Sequence, residues 1–139
     1  MILIDTSGLL AWIDASERLH REVTATMKSI PGPFLLSPFV LAELDYLTAT
    51  RVGTAAELAL LEEVARGAYR LEPFTPSDVQ RALVVMERFQ DLEIGLADAS
   101  IVVLAERYRI RDVLTLDERH FRPLRTLDGH PFRLIPADA

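Results

Sequence analysis

Met1-Ile2-Leu3-Ile4-Asp5-Thr6-Ser7 opens the chain with four apolar residues, an acid and two hydroxyls. A short apolar run without polar alternation predicts a central parallel strand, buried on both faces. Asp5-Thr6-Ser7 then offers N-cap chemistry for a helix through Leu9-Leu10-Ala11-Trp12-Ile13. The same alternation continues outward. A second helix is expected from Arg18 to Ser29, ended by Pro31-Gly32-Pro33. Phe34-Leu35-Leu36 reads as the second strand, and Ser37-Pro38 starts a helix that runs to Arg51, before Gly53. Thr54 restarts a helix that Gly67 closes. Tyr69 to Phe74 is the expected third strand, and Thr75-Pro76-Ser77-Asp78 opens a helix to Phe89. After a loop from Asp91 to Gly95 come a helix from Ala97 to Tyr108, a strand from Asp112 to Thr115 and a strand from Phe132 to Ile135. Strands alternating with single or paired helices predict an α/β layer fold with a mostly parallel sheet of four to five strands.

The 139 residues fit one domain, taken as 1–139. Half of them are hydrophobic, enough for a proper core. With no cysteine, disulfides, thiolate zinc sites and cysteine nucleophiles are excluded. No segment reaches ~18 consecutive apolar residues, so no membrane span is expected. No basic stretch precedes the first apolar run, so a signal peptide is not expected, and a cytoplasmic protein is. The net charge of −6 speaks against nucleic acid as a partner. The kind of basic residue softens that objection. Lys28 is the single lysine, and seven of the 15 basic residues are arginines between Arg107 and Arg133. Arginine's planar fork suits phosphate, although arginines also serve as solvated surface or as ion-pair partners.

Four acids stand against apolar sequence. Asp5 and Asp117 end the strand-like runs Met1-Ile4 and Val113-Leu116, Glu43 interrupts Phe39-Val40-Leu41-Ala42-Glu43-Leu44, and Asp98 opens Ala99-Ser100-Ile101-Val102-Val103-Leu104-Ala105. In parallel sheets ligands collect beyond the carboxyl ends of the strands, where Asp5 and Asp117 fall. At about 100° per residue from Asp98, Ile101 lies at ~300°, Val102 at ~40° and Ala105 at ~340°, so Asp98 sits inside its helix's apolar stripe. Glu43 lies on the margin of the stripe formed by Val40, Leu44 and Leu47. Each acid also has a local reading: Asp5 and Asp117 as caps after strands, Glu43 as a half-exposed helix residue, Asp98 as a cap or an arginine partner. A lone carboxylate against apolar surface takes up a proton or needs positive charge. If the four converge, a carboxylate set without cysteine or a histidine pair selects Mg²⁺ or Mn²⁺. Two such ions about 4 Å apart would activate a water and stabilise the leaving oxygen of a phosphodiester.

In order, these motifs resemble the PIN-domain ribonucleases, and within them the VapC-type toxins of bacterial toxin–antitoxin pairs. The resemblance rests on Ile4-Asp5-Thr6-Ser7, Ala42-Glu43-Leu44, Leu96-Ala97-Asp98-Ala99, and Leu114-Thr115-Leu116-Asp117 followed by Phe121. It spans essentially the whole chain. It implies a PIN-like three-layer fold and a metal-dependent endoribonuclease that hydrolyses RNA with a metal-activated water. It also implies a homodimer and a small antitoxin protein that blocks the site. Carried over residue by residue, Asp5, Glu43, Asp98 and Asp117 take the catalytic and metal-site roles, with Asp5 and Asp98 as direct ligands and Glu43 and Asp117 acting directly or through water. Thr6 and Thr115 are the expected orienting hydroxyls. Arg51, Arg107 and Arg119 are the expected RNA contacts. A water nucleophile predicts 5′-phosphate and 3′-hydroxyl ends.

Asp91 is a candidate accessory acid, with loop solubility as its other reading. His120 reads as structural or exposed, and His20 and His130 have no partner at metal-ligand spacing. Three other functions compete. A receiver-like phosphoacceptor needs a lysine at a late strand end, and Lys28 is not there. A nuclease of the same fold acting on structured DNA or in housekeeping RNA maturation fits the same acids, as does a binding module whose acids are only structural.

Overall fold

Ile2, Leu3 and Ile4 form β1 (Ile2–Ile4), and all three are buried. The computed structural model describes residues 1–139. On one side β1 pairs in parallel with β2 (Phe34–Leu36), Leu3 lying opposite Leu35. On the other it pairs with β4 (Asp112–Leu114), with Leu3 opposite Val113 and Ile4 opposite Leu114. The outer strands are β3 (Arg70–Leu71) and β5 (Arg133–Ile135), giving an all-parallel sheet in the order β3-β2-β1-β4-β5. Leu35, Leu36, Val113, Leu114, Leu134 and Ile135 are buried with β1. Covered on both faces, such a sheet needs continuous apolar runs, and that is why the strands read so plainly.

The chain winds outward from β1 through β2 to β3, then crosses back to place β4 on the other side of β1. The reversal leaves a crevice at the carboxyl ends of β1 and β4, where neighbouring connections diverge. Helices α1 (Thr6–Ile13), α2 (His20–Ser29), α3 (Pro38–Arg51), α4 (Thr54–Ala65), α5 (Pro76–Arg88) and α6 (Leu96–Tyr108) cover the sheet. Among them α5 lies along α6, α3 along α4, and α1 against α2 and α3. Ser37 caps α3 through the Phe39 and Val40 amides, with Pro38 at the first position. Thr75 and Asp78 form a capping box at α5. No helix is long and apolar enough to cross a membrane.

Four local readings need correction. The third strand is only Arg70–Leu71, because Pro73 has no N–H for the ladder and Glu72 turns into ion pairs. The second helix begins at His20, two residues later than expected. The loop before α6 contains a 3₁₀ turn, Gln90–Leu92. A short helix, α7 (Glu118–Phe121), follows Asp117, which caps it by accepting the His120 amide. Of the apolar positions on α3 and α4, Val40 and Leu44 are core, whereas Tyr46, Leu58 and Leu61 are exposed.

The junction of β1 and α1 is packed to the limit. A Cβ on Gly8 would lie 2.4 Å from the Leu114 carbonyl oxygen and 2.8 Å from its side chain. The strand backbone cannot yield without moving both acids at the strand ends. Gly8→Ala is expected to destabilise the fold by on the order of 2 kcal/mol through overpacking, read as a lower urea midpoint. A wild-type midpoint would contradict this close approach.

Candidate active site

Asp5, Glu43, Asp98 and Asp117 line one cleft of about 460 Å³. Asp5 ends β1, Glu43 projects from α3, Asp98 lies in the first turn of α6 and Asp117 precedes α7. Thr6, Ser7, Arg51, Glu93 and His120 share the lining. Five acids therefore face two potential cations, Arg51 and His120.

Asp5 is 5% exposed and held by hydroxyls. Ser7 Oγ and Thr115 Oγ1 each donate to its Oδ2 at 2.7 Å. Ser7 Oγ in turn accepts the Leu116 amide at 2.9 Å, and Thr115 Oγ1 accepts the Asp117 amide at 2.9 Å. These bonds stitch the end of β1 to the segment leaving β4. Burial raises the Asp5 pKa, against the hydrogen bonds from Thr115 and Ser7, and the charge on Asp117 adds to the rise.

Asp98 is pushed up to about 7, first by burial and next by the charge on Asp5. His120 opposes the rise, while Asp117 and Glu43 add to it. The carboxylates therefore interact with one another and do not merely share a surface. Asp117 is bound by His120, whose amide donates to Oδ1 at 3.1 Å and whose Nδ1 lies 2.7 Å from Oδ2. That pairing raises the His120 pKa.

The donor set fits a hard divalent cation: all oxygen, mostly carboxylate, with excess negative charge. No three of these side chains already form a closed ligand cage.

Several expectations change on placement. Thr115 orients Asp5, but the Thr6 hydroxyl is buried without a hydrogen-bond partner, and Ser7 does the work expected of it. Arg51 lines the cleft, whereas Arg119 is exposed on α7 outside its lining. Arg107 lies elsewhere: its guanidinium donates to Glu72 at 3.2 Å and to Asp78 at 2.9 Å, bracing α6 against the start of α5. Burial of Glu72 and Asp78 demands that partner, so Arg107 is a structural cation and not a cleft residue. Glu93, at a left-handed backbone position, lines the cleft instead of Asp91. Ser7 and His120 were legible only as neighbours of the motif acids. His20 bonds the Ala11 carbonyl and His130 sits near Asp128, both away from the cleft.

The chain belongs to the PIN domain family, whose model matches residues 2–125. It is 49% identical over 135 residues to Ribonuclease VapC26 of Mycobacterium tuberculosis, covering 97% of this chain and all of that protein. Among solved structures it resembles M. tuberculosis VapC20, a sarcin-ricin loop cleaving toxin. The TM-score is 0.79 at 24% identity, over 84% of this chain and 90% of that one. It also resembles a toxin–antitoxin complex from Klebsiella pneumoniae, with a TM-score of 0.66 at 18% identity over 87% and 90% of the two chains.

Raised carboxyl pKa values make the metal-free fold sensitive to alkali. Asp98 holds its proton more tightly folded than unfolded, so its stabilisation is complete below about pH 4 and is lost as pH rises through about 7. Asp5 acts in the same direction. The melting temperature of the metal-free protein is expected to fall between about pH 5 and pH 8. Asp98→Asn should flatten that fall. An identical pH slope in wild type and Asp98→Asn would refute the raised Asp98 pKa.

Proposed function

We propose that this chain is a divalent-metal-dependent endoribonuclease, the toxin half of a toxin–antitoxin pair. One observation carries the reading: acids from four separate elements line one cleft, where burial first, and the charge on Asp5 next, push Asp98 up to about 7. The 49% identity to a ribonuclease along nearly the whole chain supports RNA as substrate.

Asp5 and Asp98 are the proposed direct ligands of Mg²⁺ or Mn²⁺, with Glu43 and Asp117 completing the site directly or through water. Such an ion, when bound, offsets phosphate charge and makes a coordinated water more acidic. The chain's own contribution is placement. Ser7 and Thr115 both donate to the Asp5 Oδ2 and fix where that oxygen lies. Glu43 lines the cleft from α3. Arg51 is the proposed holder of a phosphate beside the scissile one, a role its position on the cleft wall supports. Arg119, exposed next to His120, extends that grip along the strand.

The partner reading draws on the toxin–antitoxin complex among the structural relatives. Tyr46, Leu58 and Leu61 give α3 and α4 exposed apolar surface that a protein partner would cover. A homodimer and a cytoplasmic place of action belong to the same reading.

Asp98→Asn is expected to abolish cleavage of RNA while leaving the circular dichroism spectrum unchanged. Product ends should carry 5′-phosphate and 3′-hydroxyl, and 2′,3′-cyclic phosphate ends would contradict hydrolysis by water. Equal cleavage of flap DNA would move the substrate away from RNA. Arg51→Ala should raise KM about tenfold with a smaller change in kcat, as loss of one charge-assisted phosphate contact requires. An unchanged KM would remove Arg51 from the substrate path.

A further inference from the structure

His120 does more in the cleft than its place in the sequence indicates. Its amide donates to Asp117 Oδ1 at 3.1 Å, and its ring Nδ1 meets Oδ2 at 2.7 Å. A carboxylate only accepts, so Nδ1 is the donor. One residue thus holds both oxygens of the fourth acid, and each oxygen keeps a further lone pair. The ordering passes onward. The Asp117 amide donates to Thr115 Oγ1 at 2.9 Å, and that hydroxyl donates to Asp5 Oδ2 at 2.7 Å. Asp117 is thus tied to His120 through its carboxylate and to Thr115, and so to Asp5, through its backbone amide, and the imidazole itself is part of the cleft lining.

We propose that the His120 ring is a positioning residue for the cation site, fixing the Asp117 carboxylate so that its free lone pairs face the cleft. The inference rests on the metal-dependent nuclease reading in taking this cleft as the place where the cation binds. The amide bond alone caps α7 and orders one oxygen. It leaves the carboxylate free to rotate about its terminal torsion. The ring bond removes that freedom, the task an imidazole or carboxylate behind a metal ligand commonly performs. The Asp117 side chain is 31% exposed, so without the ring its second oxygen would turn to water. Asp5 is ordered by a different chemistry, with two hydroxyls that both donate to its Oδ2.

Capping and positioning separate cleanly, because capping uses only the His120 backbone. The test is a series of three full-length variants. His120→Asn keeps an N–H donor near the Nδ1 position, His120→Gln moves the donor outward, and His120→Ala removes it. Thermal melts establish that each variant folds. Mn²⁺ affinity by calorimetry and kcat/KM on RNA are then compared. Alanine and glutamine are expected to weaken Mn²⁺ binding by about tenfold or more, with asparagine restoring most of it. Wild-type affinity in His120→Ala would overturn the proposal, as would equal behaviour of asparagine and glutamine. A wild type that binds Mn²⁺ but cuts no RNA overturns the nuclease reading alone, and the affinity series still decides His120. A wild type that binds no Mn²⁺ overturns both.

Discussion

Crowded negative charge in a half-buried cleft is the constraint on which this molecule turns. Asp5 is buried beneath hydroxyl donors, Asp98 rises to about 7, and Asp117 is bound to an imidazole. Folding pushes these groups together against their mutual repulsion, and elementary electrostatics favours separating them. The chain meets burial and repulsion together in three ways: a proton held more tightly by Asp98, hydroxyl hydrogen bonds to Asp5, and His120 beside Asp117. Each is partial, and a divalent cation would complete the compensation.

The parallel sheet makes the crowding possible at low conformational cost. Register between β1 and β4 sets Leu3 beside Val113 and Ile4 beside Leu114, so the next residues of both strands emerge together. The Asp5 amide bonds the Leu114 carbonyl at 3.0 Å, continuing the ladder to the lip of the cleft. Gly8 lets α1 turn directly over that ladder. On the other side, Ser100 donates to Ser37 at 2.6 Å, tying the first turn of α6 to the cap of α3. Asp98 and Glu43 are therefore carried on helices whose starts are joined. Rigidity of the carriers matters because carboxylates a fraction of an ångström out of place lose much of their cation affinity.

The fold was largely legible because buried parallel strands cannot alternate, and their short apolar runs stood out between capped helices. Asp98 was legible for a related reason: an acid centred on an apolar stripe implies a cleft or a partner. Ordered motifs carried Glu43 and Asp117 further than their local pattern did. What escaped depends on tertiary detail. Arg107 was expected at the RNA, but its partners Glu72 and Asp78 belong to the segment between β3 and α5, and no local pattern announces that meeting. The choice between Thr6 and Ser7 is a matter of helix phase: one residue's rotation at the strand–helix junction decides which hydroxyl faces Asp5. Glu93 enters the cleft through a left-handed turn that its neighbours Asp91 and Leu92 do not reveal. The third strand shortened at Pro73 because ladder hydrogen bonds outrank β propensity.

Binding of Mn²⁺ to the metal-free protein, followed by calorimetry at about pH 6.5 in buffers of different ionisation enthalpy, addresses the central claim most directly. The account predicts that the ion binds with release of a substantial fraction of a proton from the carboxylate cluster, and that Asp98→Asn loses both the affinity and the release. No binding, or binding that neither frees a proton nor depends on Asp98, would show that the gathered acids do not form a cation site.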